Sequence, residues 1–284
     1  MGNRVSRLRI MMILAAAMLL ISSCASLSRS GVGRVKHYTV ESARLPQAFD
    51  GCRVAFVSDI HYPSLFDEKR LGKLVSCLNG LEADMLLLGG DYVTENDSID
   101  ALFGALGKVE TLHGIYAVLG NHERGNATLV GRAMEENGIV LLADSMMYVS
   151  CNGDSLCLAG VSDSFSDDWS PFVSQVSSGS GFVILLAHTP DYAERTSTAA
   201  DLVLSGHTHG GQVTLFGMYT PVKNSAYGKR FLRGLNRTGN GVPVITTNGV
   251  GTSRRKVRFC VPSEIVVVTL RRACQNGISQ DAVK

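Results

Sequence analysis

The chain lacks a strong charge of either sign. Its 27 Lys and Arg face 25 Asp and Glu, a formal net charge of +2. Arg4, Arg7 and Arg9 carry the excess, and residues 1–23 hold no acid, so removing that segment takes +2 to −1. A near-neutral body gives no electrostatic basis for sequence-independent nucleic-acid binding, and no nucleic-acid partner is expected. The chain also lacks an apolar run of membrane-spanning length. Ile10 to Ile21 is a continuous run of 12 residues, which as a helix rises only about 18 Å against a hydrocarbon core of ~30 Å. None of the seven cysteines has zinc-ribbon spacing, so a cysteine-built metal site is not supported. There is no domain linker, and no repeat apart from the similarity of successive strand–helix units. What is present is enough apolar residue for a sizeable core: 45% hydrophobic against 18% charged.

The basic start followed by a short apolar run fits a secretory signal. Ile21-Ser22-Ser23-Cys24 then resembles a bacterial lipoprotein signal. That resemblance implies cleavage before Cys24 and lipidation of its thiol. The expected organisation is a signal peptide over 1–23, a lipid-anchored tether over 24–36, a catalytic domain over 37–272 and a C-terminal tail over 273–284. The expected location is the membrane, outside the cytoplasm. The alternatives are an uncleaved inner-membrane signal anchor and a plain secretory signal with an incidental cysteine. Six cysteines then remain: Cys52, Cys77, Cys151, Cys157, Cys260 and Cys274. Cys151 and Cys157 flank a turn at Asn152-Gly153-Asp154 and could face each other across a hairpin; the other reading is buried free thiols.

Strand and helix patterns alternate through the first half. An edge strand is expected within 37–50. Val54–Val57, Met85–Leu88 and Ile115–Leu119 read as apolar strands. Leu71, Leu74, Val75 and Leu78, then Ile99, Leu102, Phe103 and Leu106, recur at helical spacing, and a further helix is expected within 127–137. Such alternation implies βαβ units, whose sites form at the carboxyl ends of strands. The second half is richer in strands, expected near 139–142, 146–150, 155–160, 182–187, 201–204, 212–216, 242–247 and 264–270.

Five short polar segments each follow an apolar strand: Asp59-Ile60-His61, Gly90-Asp91, Gly120-Asn121-His122-Glu123, His188 with Pro190-Asp191, and Gly206-His207-Thr208-His209. Singly, each reads as a cap, a turn or an ordinary histidine. Together they supply carboxylate, amide oxygen and imidazole, a set suited to divalent ions such as Mn, Fe or Zn. Neighbouring glycines let the chain turn sharply beside such ions.

Order, spacing and residue type of all five segments closely resemble the calcineurin-like metallophosphoesterases. The resemblance implies an α/β fold, a four-layer sandwich of two mixed sheets with helices outside. It implies two divalent ions, Mn foremost, with Fe or Zn as alternatives. Asp59, His61, Asp91 and His209 would bind one, and Asp91, Asn121, His188 and His207 the other, with Asp91 bridging. His122 resembles the family's general acid or phosphate-contacting residue, and Asn121 with His122 would meet the substrate. Two ions about 3.5–4 Å apart acidify a bridging water and clamp an in-line phosphoryl displacement. Glu123 or a backbone carbonyl could hold the His122 ring. Thr208 is given no catalytic role.

Gly206 to Gln212, Asn248 to Ser253, Val257-Arg258-Phe259 and Pro262-x-Glu264-Ile265 further resemble a membrane-associated bacterial subgroup of phosphodiesterases. Some of its members resemble UDP-2,3-diacylglucosamine pyrophosphatases of lipid A synthesis. Thr94 and Asn248 depart from that pattern, which bears on substrate choice rather than metal binding. The resemblance implies hydrolysis of a phosphodiester or diphosphate in a membrane-associated, lipid-linked substrate. The rivals are a broad nucleotide phosphodiesterase or phosphomonoesterase, and a non-catalytic surface protein that keeps its metals as structure. Arg254-Arg255-Lys256-x-Arg258 could face an anionic headgroup or a diphosphate, or could be a solvated loop. Trp169 could cover the site or be an ordinary core or surface aromatic.

Overall fold

A computed structural model describes residues 7, 9–14, 31–162, 181–215 and 219–273. Most of the signal segment, Cys24, Trp169 and Cys274 lie outside the described residues. Among the described residues no helix is long and apolar enough to cross a membrane.

Among the described residues, twelve strands form two six-stranded sheets. The first comprises β1 (Arg34–Ser42), β2 (Arg53–Val57), β3 (Met85–Leu88), β4 (Ile115–Ala117), β5 (Ile139–Leu141) and β12 (Glu264–Arg272), in the order β1-β12-β2-β3-β4-β5. The second comprises β6 (Ser145–Cys151), β7 (Asp154–Gly160), β8 (Val183–Leu186), β9 (Leu202–Ser205), β10 (Gly234–Arg237) and β11 (Pro243–Thr246), in the order β10-β11-β9-β8-β7-β6. Both sheets are mixed: β12 runs antiparallel to β2, β6 to β7 and β10 to β11, and the other pairs are parallel.

Alternation along each strand sorts the side chains into layers. Val54, Phe56, Met85, Leu87 and Tyr116 of the first sheet meet Leu156, Leu158, Ile184, Leu186, Leu204 and Ile245 of the second in one core between the sheets. Ala55, Val57, Leu86 and Leu88 point the other way. They pack under α1 (Glu68–Gly80), α2 (Ile99–Leu106) and α3 (Ala127–Glu136) through Leu71, Leu74, Leu102, Phe103 and Val130. α4 (Asp191–Thr196) covers the outer face of the second sheet through Tyr192 and Ala193. The result is the expected four-layer α/β arrangement. α1 starts at Asp67, whose carboxylate accepts a hydrogen bond from the Arg70 amide at 2.9 Å.

Three expectations change. Residues 212–216 form no strand over their described part: Val213 and Leu215 make isolated bridges to Phe259 and Tyr219. Cys151 and Cys157 do not face each other, because the two-residue Asn152-Gly153 turn pairs Cys151 with Asp154 and Tyr148 with Cys157. The other reading, free thiols, holds for Cys52, Cys77, Cys151, Cys157 and Cys260, of which Cys52 and Cys157 are buried. The first strand starts at Arg34, three residues ahead of the edge strand expected within 37–50.

Candidate metal centre

Every strand that the sequence ends on a polar segment delivers that segment to one rim. β2 leads to Asp59 and His61, β3 to Asp91, β4 to Asn121, β8 to His188 and β9 to His207 and His209. Parallel strands of both sheets point their carboxyl ends there, so residues far apart in sequence converge.

The backbone is bent to make this possible. Asp59, His61, Asp91, His207 and His209 all have positive φ, between 51° and 68°. Non-glycine residues avoid that region, and clusters of such residues mark sites whose surroundings hold strain in place. Glycines allow the close approach. At Gly90 (φ 95°) a Cβ would lie 2.6 Å from the Gly120 nitrogen and 2.7 Å from His188 Nδ1.

Two groups of candidate ligand atoms result, each within 4.8 Å of one another: Asp59, His61, Asp91 and His209, and Asp91, His188 and His207. Asp91 belongs to both. Its Oδ2 lies 3.6 Å from His61 Nε2 and 3.4 Å from His188 Nε2. His209 Nε2 lies 3.3 Å from Asp59 Oδ1 and 3.2 Å from His61 Nε2. Both Asp59 oxygens accept from the His207 amide at 3.0 Å. His188 Nδ1 sits 2.6 Å from the Gly89 carbonyl, which orients the ring and leaves Nε2 toward Asp91. Asn121 lines the same pocket, and its buried Oδ1 has no hydrogen-bond partner among the described residues. A buried amide oxygen without a partner is costly unless a cation or water meets it. Donor types and geometry therefore fit a pair of divalent ions.

The electrostatics prepare the ligands. Burial pushes His61 down to about 4 and His207 down to about 3; burial and then Arg258 drive His209 well below its ordinary range. Neutral imidazole is the metal-binding form. His188 is the exception. Burial opposes its charge, but Asp91 and Asp59 outweigh burial and raise it to about 10. Without ions, a proton on His188 offsets the Asp91 carboxylate.

His122 stands at the mouth, with its side chain 43% exposed and its Nε2 4.0 Å from Asp91 Oδ2. Its amide donates to Asp91 Oδ1 at 3.0 Å. Glu123 does not hold its ring. The Glu123 carboxylate, fully buried, instead accepts from the amides of Asp91 (2.9 Å), Tyr92 (2.8 Å) and Gly120 (2.9 Å). Burial, then Asp91, raises its pKa, and the amides of Tyr92 and Gly120 pull it back. Thr208 turns away, donating to the Leu232 carbonyl at 2.7 Å.

The basic cluster divides. Arg254, Arg255 and Lys256 are exposed, and Arg254 lines the pocket. Arg258 is 4% exposed and faces no solvent anion, because its guanidinium is turned inward onto main-chain carbonyls. Sequence reasoning missed this role, and its neighbours give no local sign of it, since Val257 is itself exposed.

The pocket over the ligands has a volume of about 350 Å³. A second groove of about 340 Å³ opens beside it, lined by Val213, Pro221, Val222 and Val257 and edged by Arg254 and Arg255. His209, Asn224, Ser253 and Arg254 line both.

The family model described as calcineurin-like phosphoesterase matches residues 52–211. The uncharacterized metallophosphoesterase YkuE of Bacillus subtilis is 30% identical over 243 residues, covering 82% of this chain and 84% of that protein. The phosphodiesterase YaeI of Escherichia coli is 30% identical over 210 residues, covering 70% and 75%. An uncharacterized metallophosphoesterase of Helicobacter pylori is 29% identical over 229 residues, covering 77% of this chain but 59% of its own length.

Proposed function

The chain belongs to the calcineurin-like phosphoesterase family and is a metal-dependent phosphoester hydrolase; from that premise we propose that it cleaves a phosphodiester or diphosphate bond in a lipid-linked substrate at the membrane. The observation that carries the chemistry is Asp91, one carboxylate common to two ligand groups. Asp59, His61, Asp91 and His209 would hold one ion; Asp91, Asn121, His188 and His207 would hold the other. Two such ions, with Mn the first choice and Fe or Zn behind it, would acidify water and offset charge on the phosphoryl oxygens. His122, at the mouth, would contact the phosphate or give a proton to the leaving oxygen.

The lipid-linked reading is supported by the apolar groove that runs on from the pocket. Val213, Val222 and Val257 are 38%, 49% and 52% exposed there, and exposed apolar surface beside a site suits an apolar substrate portion. Arg254 and Arg255 suit a neighbouring anionic group. The proposed location is outside the cytoplasm, held by lipid on Cys24, which raises the local concentration of such a substrate. A nucleotide-linked lipid precursor made in the cytoplasm then fits less well than another extracytoplasmic phosphodiester. Labelled palmitate should enter the wild-type protein and not Cys24→Ser; an unlabelled wild type removes the anchor.

The chemistry is tested on the body, residues 25–284, stripped of metal. Bis-p-nitrophenyl phosphate should be hydrolysed only when Mn or a related divalent ion is restored. A preference for soluble cyclic nucleotides over lipid-linked diesters would favour a nucleotide phosphodiesterase. Turnover no higher than that of Asp91→Ala would leave a non-catalytic metal-stabilised protein.

A further inference from the structure

Arg258 is a buried arginine of the site, and it lines neither the pocket nor the groove beside it. Its Nε donates to the Gly251 carbonyl at 3.0 Å. Its Nη1 donates to the carbonyls of His209 at 3.1 Å and Val261 at 3.4 Å. Its Nη2 donates to the carbonyls of Asn248 and Gly251, and to that of Gly249 at 3.3 Å. The same Nη2 lies 3.4 Å from His209 Nδ1. A buried guanidinium is costly unless its donors are satisfied, and here carbonyls from separate segments satisfy them.

Those segments carry ligands. One is His209 itself, at φ 51° with Gly210 following at φ 62°, a stretch that needs an outside hold. The other is the turn 248–251, which rests on Asp59. The Gly251 amide donates to the Asp59 carbonyl at 2.8 Å, and the Val250 amide to the Ser58 carbonyl at 3.2 Å. Gly249 (φ 73°) lies so close that a Cβ there would be 2.7 Å from Asp59 Cβ. A planar fork of donors can tie both segments at once, which the single ammonium of lysine cannot.

We propose that Arg258 is a positioning residue for one of the two ion sites: it fixes His209 directly and Asp59 through the 248–251 turn. The site made by Asp91, His188 and His207 has its own support in the Gly89 carbonyl behind His188, while the Glu123 carboxylate behind the shared Asp91 serves both sites. Arg258 therefore acts on one ion and not on both. This rests on the two-ion reading of the pocket.

The test is calorimetric titration of metal-stripped protein with Zn²⁺ or Mn²⁺, comparing wild type, Arg258→Lys, Arg258→Gln and, as the reference for loss of one ligand, His209→Ala. Both Arg258 variants should weaken one ion by about 10–100-fold, the scale of losing support behind a metal ligand, and leave the other unchanged, with lysine the milder. His209→Ala should weaken the same ion. Two ions weakened together, or neither weakened, overturns the proposal while leaving the two-ion reading intact. A wild type that binds fewer than two ions overturns both. If the variants do not fold, the ¹⁵N-labelled Arg258 Nε–H signal of wild-type protein should shift in one Zn²⁺-binding step together with the His209 ring. A signal that never moves sinks the idea.

Discussion

Glu123→Ala is expected to be among the most damaging single changes away from the ligands, although the residue belongs to neither ligand group. The carboxylate takes the amides of Asp91, Tyr92 and Gly120, each at 2.8–2.9 Å, in a fully buried setting. Removing it leaves these donors without a partner and away from water. At about 1–3 kcal/mol for each buried group left unsatisfied, the loss is roughly 3 kcal/mol or more of folding stability. The effect does not stop at stability. Those amides hold the loop that gives Asp91 its positive φ of 57°, and the Gly120 turn that presents Asn121. Both ions should therefore weaken together, which separates this residue from Arg258. Glu123→Gln keeps one acceptor but aims an NH₂ at amide donors, so it should fall between wild type and Glu123→Ala. Urea unfolding of the metal-free variants and metal titration of the folded ones check this. A midpoint equal to wild type would mean that those amides find other partners.

Glu123 and Arg258 show where sequence reading reaches its limit. The ligands were legible because each follows a short apolar strand: Val57 before Asp59, Leu88 before Asp91, Leu186 before His188, Ser205 before His207. Residue type, order and local pattern are all near-neighbour information. The sheets were legible for the same reason, since Val54 and Phe56 against Ala55 and Val57 already declare two buried faces. Arg258 was not legible as a buried support. Its partners are carbonyls 7 to 10 residues away in the turn 248–251 and 49 residues away at His209, and a carbonyl carries no sequence signature. Glu123 stands beside His122, which suggested the wrong partner; two of the amides it serves lie across a strand–helix unit, 31 and 32 residues away. β10 was missed because its four residues, Gly-Leu-Asn-Arg, are half polar and edge a sheet. Val213 and Leu215 misled in the opposite direction: their apolar side chains suggested a strand, but Val213 lines an open groove and exposed Leu215 makes only an isolated bridge to Tyr219.

Asp91→Ala should abolish turnover more completely than any other single change, by on the order of 10⁴-fold, the scale of removing one member of a group that acts as a unit. The reason is that this carboxylate is counted twice. Oδ2 lies within 3.6 Å of His61 Nε2 on one side and 3.4 Å of His188 Nε2 on the other, and Oδ1 fixes the His122 amide at 3.0 Å. Burial disfavours its charge, yet His188, His61 and His122 outweigh burial and hold it well below the ordinary carboxylate range. It is thus ionised at any working pH and ready to bind cations on both sides. Loss of Asp91 should remove both ions in a metal titration. His122→Ala gives the contrast. That side chain is partly exposed and outside both ligand groups, so both ions should stay while turnover falls by about 10²–10⁴-fold, the contribution of a positioned proton donor. The pair is read by metal content and rate measured on the same samples. An Asp91→Ala protein that retains two ions would remove the bridging role, and a His122→Ala protein that loses one would make His122 a ligand.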